Sequence, residues 1–139
     1  TWTDKNTDKT FWRISVELNG NKIQNAIADT GTNVIAGPIE EVKALLDKLD
    51  GISVEKSDDG SYQGYYSCKN PPNLSFKVAG QTFKFPEAAM NFGRDGDKCI
   101  LSIFGTPGMQ EWILGSPFFQ IASVILNYDV GRMGFAKYK

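Results

Sequence analysis

The chain has 139 residues and a mass of 15.4 kDa, the usual size of one domain and enough to bury a sizeable core. Fifteen basic against sixteen acidic residues leave a net charge of -1, so neither nucleic acid nor an anionic membrane is an expected partner. The absence of histidine excludes Ser–His–Asp and Cys–His hydrolases, His-ligated zinc and histidine acid–base catalysis together. Two cysteines cannot make a zinc site alone, and no metal or cofactor is expected. Chemistry has to come from carboxylates, hydroxyls, Lys, Tyr or the backbone.

The sequence opens on Thr1 without an initiator Met or a signal-peptide pattern, and is expected to be a mature or excised piece. Ten residues precede the first clear strand, where Trp12, Ile14, Val16 and Leu18 alternate with Arg13, Ser15 and Glu17. Asn19-Gly20 predicts a tight hairpin and a return strand over Lys22–Ala28. Pro38, with Glu40 and Glu41 after it, opens an amphipathic helix of about 11 residues. Ile39, Val42, Leu45, Leu46 and Leu49 form its apolar face, Lys48 sits in its last turn, and Gly51 is placed to end it. Further strands are predicted at Ser53–Glu55, Tyr62–Cys68 and Leu74–Val78. A second hairpin turns at Ala79-Gly80 into Thr82–Phe85. The most apolar region, Trp112 to Leu126, is broken by Gly115, Pro117 and Gln120 and is too short to span a bilayer. A helical turn is expected around Ser116–Gln120, followed by strands Ile121–Tyr128 and Met133–Ala136. The composite is a mostly β domain with one good helix.

Asp29-Thr30-Gly31-Thr32 ends the second strand. Aspartate is a poor strand residue, and burying its charge is costly unless donors surround it. Gly31 permits a tight turn and close approach of a ligand backbone, and the flanking hydroxyls can donate to a carboxylate. From these four residues alone, an Asx-type turn and a chemically active carboxylate are both open readings.

The wider pattern resembles the pepsin-like aspartic proteases, whose active-site motif is an apolar pair followed by Asp-Thr-Gly-Thr/Ser. Here that pair is Ile27-Ala28, and Trp112-Ile113-Leu114-Gly115 resembles the segment that crosses beneath the active-site loop. Phe11-Trp12-Arg13-Ile14 resembles the aromatic pair opening the family's second lobe, and Ala36-Gly37-Pro38 the approach to its helix. Asn127-Tyr128-Asp129 through Gly134-Phe135-Ala136 resembles its closing hairpin. Asn33 stands where Ser is commoner, and Ser116 where Asp is common.

The resemblance covers essentially the whole chain and implies a single domain over residues 1–139. The expected fold is mostly β: a closed, barrel-like antiparallel acid-protease lobe with one main helix and short helical turns. It is the C-terminal lobe that is resembled; the N-terminal lobe and its flap, with a second Asp-Thr-Gly, are absent from this sequence. The implied activity is acid-pH peptide hydrolysis by an activated water, with little or none in this chain alone. The implied partners are an N-terminal lobe, from the same precursor or a second chain, peptide or protein substrates, and pepstatin-like inhibitors.

By the same resemblance Asp29 is one catalytic aspartate, Thr32 bonds its outer oxygen, and Thr30 joins an interlobe grip. Gly31 and Thr32 contact substrate backbone, while Phe11, Ile27 and Ile113 wall the pocket just past the scissile bond; plain core packing is the alternative for those three. Cys68 and Cys99 fall where that lobe has its disulfide, two buried thiols being the other reading. A bridge points to an oxidising compartment, and the family to a secreted or vacuolar/lysosomal location. Asn73-Leu74-Ser75 is a possible glycosylation sequon. Two other functions remain open: a one-motif homodimer of retroviral type, and a non-catalytic pepsin-like binding module.

Overall fold

A computed structural model describes residues 1–8 and 10–138. In chain order the elements begin with β1 (Trp12–Leu18), β2 (Asn21–Ala28), β3 (Ile35–Pro38) and α1 (Ile39–Asp47). There follow β4 (Ser53–Lys56), β5 (Tyr62–Ser67), β6 (Ser75–Val78), β7 (Gln81–Lys84) and α2 (Glu87–Met90). The chain continues through β8 (Asn91–Asp95), β9 (Lys98–Thr106), β10 (Ile113–Leu114) and α3 (Ser116–Phe119), and closes with β11 (Ser123–Asn127) and β12 (Arg132–Ala136).

Ten strands form one sheet in the order β4-β5-β9-β3-β10-β2-β1-β6-β7, with β8 also on β9; β11 and β12 pair separately. The expectation of a closed antiparallel barrel is corrected on two counts. The sheet is open, ending at β4 and β7, and it is mixed: β10 runs parallel to β2, and β3 parallel to β9. Parallel neighbours need crossover connections, and α1 lies within the crossover from β3 to β9. The predicted hairpins have matching turns, φ 47° and 83° at Asn19-Gly20 and again at Ala79-Gly80, the doubly left-handed pair that suits strand twist.

The helix α1 spans nine residues rather than about 11, a difference set by its last turn. There Lys48 N–H donates to Leu45 O and Leu49 N–H to Leu46 O, one residue short of the α-helical step. Lys48 thus caps the helix, and Pro38 stands just before its first residue. Its Val42, Leu45 and Leu46 are buried. The aromatic core is a chain of edge contacts: Phe118 of α3 meets Phe76 of β6 at 5.3 Å and Phe135 of β12 at 5.9 Å between ring centres. Phe118 thereby joins the two-stranded unit to the main sheet, and all three rings are fully buried. Tyr66 is buried too and donates to Glu87 Oε1; burial pushes its phenol well above the ordinary tyrosine range.

Cys68 and Cys99 form a disulfide, Cα atoms 5.2 Å apart and 31 residues apart in sequence. It ties the end of β5 to β9 and fits an oxidising compartment. No helix among the described residues is long and apolar enough to cross a membrane. Replacing both cysteines with serine should cost roughly 3–4 kcal/mol from the size of the loop they close. Urea unfolding of wild type and double variant measures the cost, and a difference below about 1 kcal/mol would contradict it.

Candidate active site

Three backbone segments meet where β2 ends. Ile27 N–H donates to Trp112 O and Asp29 N–H to Leu114 O, at 2.9 and 3.0 Å, so β10 lies beside β2 up to the aspartate. On its other side β10 pairs antiparallel with β3. Just past β10, Gly115 N–H donates to Val34 O at 3.1 Å and Ser116 N–H to Thr32 O at 2.7 Å. The segment 113–116 therefore crosses beneath the loop 29–34 and holds both of its arms.

That crossing has no space for a side chain. A Cβ on Gly115 would lie 2.1 Å from Val34 O and 2.4 Å from Thr32 O. A second glycine serves the neighbouring contact: a Cβ on Gly37 would lie 2.6 Å from the Trp112 ring, which packs against Gly37 of β3 and donates weakly to Glu41 Oε1. Trp112 is buried as a result.

On this platform the Asp29 carboxylate is exposed and doubly bonded from its own turn. Gly31 N–H donates to Oδ1 and Thr32 Oγ1–H to Oδ2, both at 2.9 Å. Thr32 N–H also closes the turn on Asp29 O at 3.3 Å. The arrangement fixes the carboxylate plane while leaving lone pairs directed outward, which suits a group that accepts or delivers a proton. Thr30 and Gly31 are exposed beside it. Ile27 and Ile113 stand side by side in register and line one cleft of about 600 Å³ together with Gly108, Met109, Gln110 and Glu111. Phe11 does not line that cleft; it is 47% exposed and borders a hollow with Trp12, Tyr128 and Gly131. Asn73 is exposed on the approach to β6, where its carbonyl accepts from Asn19 Nδ2.

One charged group escapes a reading of the sequence. Arg13 of β1 donates through Nε to Asp8 and through a terminal nitrogen to Glu111 Oε1 at 2.9 Å. The Arg13 bond, with amides of Thr10 and Phe11 adding to it, holds the Asp8 carboxyl down at about 2. Arg13 does stand out as a polar residue in the β1 alternation, but Glu111 lies 98 residues away and no local pattern joins them. Among the described residues no group of three or more Cys, Asp or Glu is placed to hold a metal ion.

An open mixed sheet thus carries an Asp-Thr-Gly turn seated on a crossing strand. Residues 2–138 match the eukaryotic aspartyl protease family, and the chain belongs to it. It is 39% identical to "Secreted aspartyl protease 1" of Malassezia globosa, over 97% of this chain and 34% of that protein. It is 38% identical to "Aspartic protease" of Phaffia rhodozyma, over 94% and 35%. A third relative, 31% identical over 95% and 36%, is named "Probable inactive secreted aspartyl protease", also from Malassezia globosa. The chain thus spans about a third of the length of the curated relatives it matches.

The crossing is open to direct test. Gly115→Ala should cost about 3 kcal/mol, the upper end for overpacking, since its methyl group meets backbone rather than a movable side chain. Gly37→Ala should cost less, because the Trp112 ring can shift. Urea unfolding of both variants gives the order, and equal or negligible losses would refute it.

Proposed function

We propose that this chain is the C-terminal lobe of a two-lobe acid endopeptidase, with Asp29 as one of its two catalytic aspartates. The observation that carries the reading is the geometry of Asp29: an exposed carboxylate fixed by Gly31 N–H and Thr32 Oγ1 on a turn braced from beneath by the 113–116 crossing. Two carboxylates about 3 Å apart cannot both ionise and so share one proton, the known behaviour of aspartic protease dyads. The charged partner takes a proton from a bound water while the protonated one polarises the scissile carbonyl. Gly31 and Thr32 lie where a substrate backbone would pass, Thr30 where a second lobe would grip, and Ile27 and Ile113 wall the pocket just past the scissile bond. Phe11, which borders a separate hollow, takes no part in that wall.

The other lobe, which carries the second Asp-Thr-Gly, is the partner this reading requires. Support comes from Ile125, Tyr128, Val130 and Tyr138, large apolar side chains exposed on and around the β11–β12 unit, and from the outer edge of β11, which pairs with no described strand. Such a face and edge suit association. Substrates are peptides, and pepstatin-like compounds are the expected inhibitors of the assembled enzyme. The names of the relatives and the disulfide support secretion or a vacuolar/lysosomal site. Asn73, exposed in its sequon, is then positioned to carry an N-linked glycan. One relative named as inactive favours a second reading, a pepsin-like lobe that binds without cleaving.

Asp29→Asn in the two-lobe enzyme separates the two. Asparagine keeps the turn but loses the proton site, so kcat should fall at least about 100-fold with KM much less affected. Retention of more than about a tenth of kcat would remove Asp29 from catalysis. The isolated chain should show no Asp29-dependent turnover of a denatured protein at about pH 3–5, since one carboxylate cannot fill both roles. Glycosidase treatment of protein secreted from a eukaryotic host should reduce its mass, and Asn73→Gln should abolish that shift. An unchanged wild-type mass would rule the glycan out.

A further inference from the structure

The cleft beside Asp29 contains a charge for which the proposed hydrolysis has no use. Arg13 is registered with Ile27 across β1 and β2, and Ile27 with Ile113 across β2 and β10. Residues directly opposite on neighbouring strands share a face, as do residues two apart along one chain. Arg13, Ile27 and Ile113 therefore form one row, on the face from which Asp29 projects. Ile27 and Ile113 of that row line the cleft, and beyond them the row ends in the Arg13 guanidinium.

The loop after β9 brings Glu111 over that end. Among the described residues lining the cleft, Glu111 alone is charged. Arg13 is shared between Asp8 and Glu111, so two carboxylates on one guanidinium leave a net charge of -1. Exposure decides which charge a substrate meets. The Glu111 side chain is 49% exposed, against 20% for Arg13 and 23% for Asp8. Only Oε1 of Glu111 bonds Arg13, and Oε2 has no bond among the described contacts. The guanidinium acts from behind, fixing where the carboxylate stands.

We infer that Glu111 is a specificity-determining residue which selects a lysine or arginine at the substrate position just past the scissile bond. This rests on the reading of Asp29 as catalytic. The alkyl stem of such a side chain lies along Ile27 and Ile113, as long basic side chains do on apolar surface, and its cationic end reaches Glu111. A leucine fills the floor but leaves the carboxylate unused, and an acidic side chain is repelled.

The test uses the full two-lobe enzyme and peptides that differ only at that position, carrying Lys, Leu or Glu, at about pH 5.5, above the ordinary carboxylate range. Wild type should favour Lys over Leu in kcat/KM by about fivefold, the scale of a partly exposed ion pair. Glu111→Gln should bring that ratio close to one, and Glu111→Lys should turn the preference toward the Glu peptide. A Lys-to-Leu ratio unchanged in Glu111→Gln, or a wild type that favours Leu, overturns the inference while Asp29-dependent cleavage leaves the catalytic reading standing. Absence of Asp29-dependent cleavage of all three peptides overturns both. Because Glu111 is half exposed and Gln is nearly its shape, thermal unfolding should match wild type; should Glu111→Gln not fold, the wild-type preference and Glu111→Lys still decide.

Discussion

The structure turns on a backbone crossing with no room for a side chain. Gly115 passes within hydrogen-bonding distance of Val34 O, and its neighbour Ser116 bonds Thr32 O. Any Cβ at residue 115 would enter the van der Waals shells of both carbonyls. Because the crossing strand pairs with β2 on one side and β3 on the other, it closes the gap that the Asp29 loop opens between them. The loop is thus anchored at both arms by backbone bonds. The open tip, residues 29–31, is free to face solvent or a ligand without costing the core its order. The same crossing supplies one of the sheet's two parallel pairings, β10 on β2.

Much of this was legible in the sequence because it is local. The alternation in β1, the Asn19-Gly20 and Ala79-Gly80 turns, and the apolar face of α1 are all set by neighbours within a few residues. The Asp29 turn is equally local, and Thr32 bonds the carboxylate three residues before it. The Cys68–Cys99 pair was reached only through a family likeness, since two cysteines carry no pairing information beyond their number.

What escaped reading is non-local. The strand β9 runs through the middle of the sheet, with β5, β3 and β8 on it, yet Cys99-Ile100-Leu101-Ser102-Ile103-Phe104 shows little alternation. A strand covered on both faces reads as a plain apolar run and gives no period to detect. The strand β10 is two residues long and exists only through its partners. The closed barrel came with the family likeness, whereas openness depends on which edges meet. The Arg13–Glu111 pair joins residues from opposite ends of the chain, and only the row formed by β1, β2 and β10 brings them together.

The electrostatics of Asp29 follow from the same division. In this chain its carboxylate is exposed, and its two donors come from its own turn. A shared proton demands a second carboxylate at close range and a low-dielectric cover. On the proposed reading both arrive with the other lobe. A second carboxylate disfavours double ionisation, and the covering face removes water that otherwise screens the pair. The lobe then contributes geometry, fixed by Gly115 and Thr32, while its partner converts a plain surface carboxylate into half of a proton-sharing dyad. On that reading rigidity has to reside in the chain that holds the aspartate, because the two oxygens must already be aligned when a second lobe meets it. That requirement is met by a loop whose arms are bonded from beneath and whose carboxylate is bonded from within.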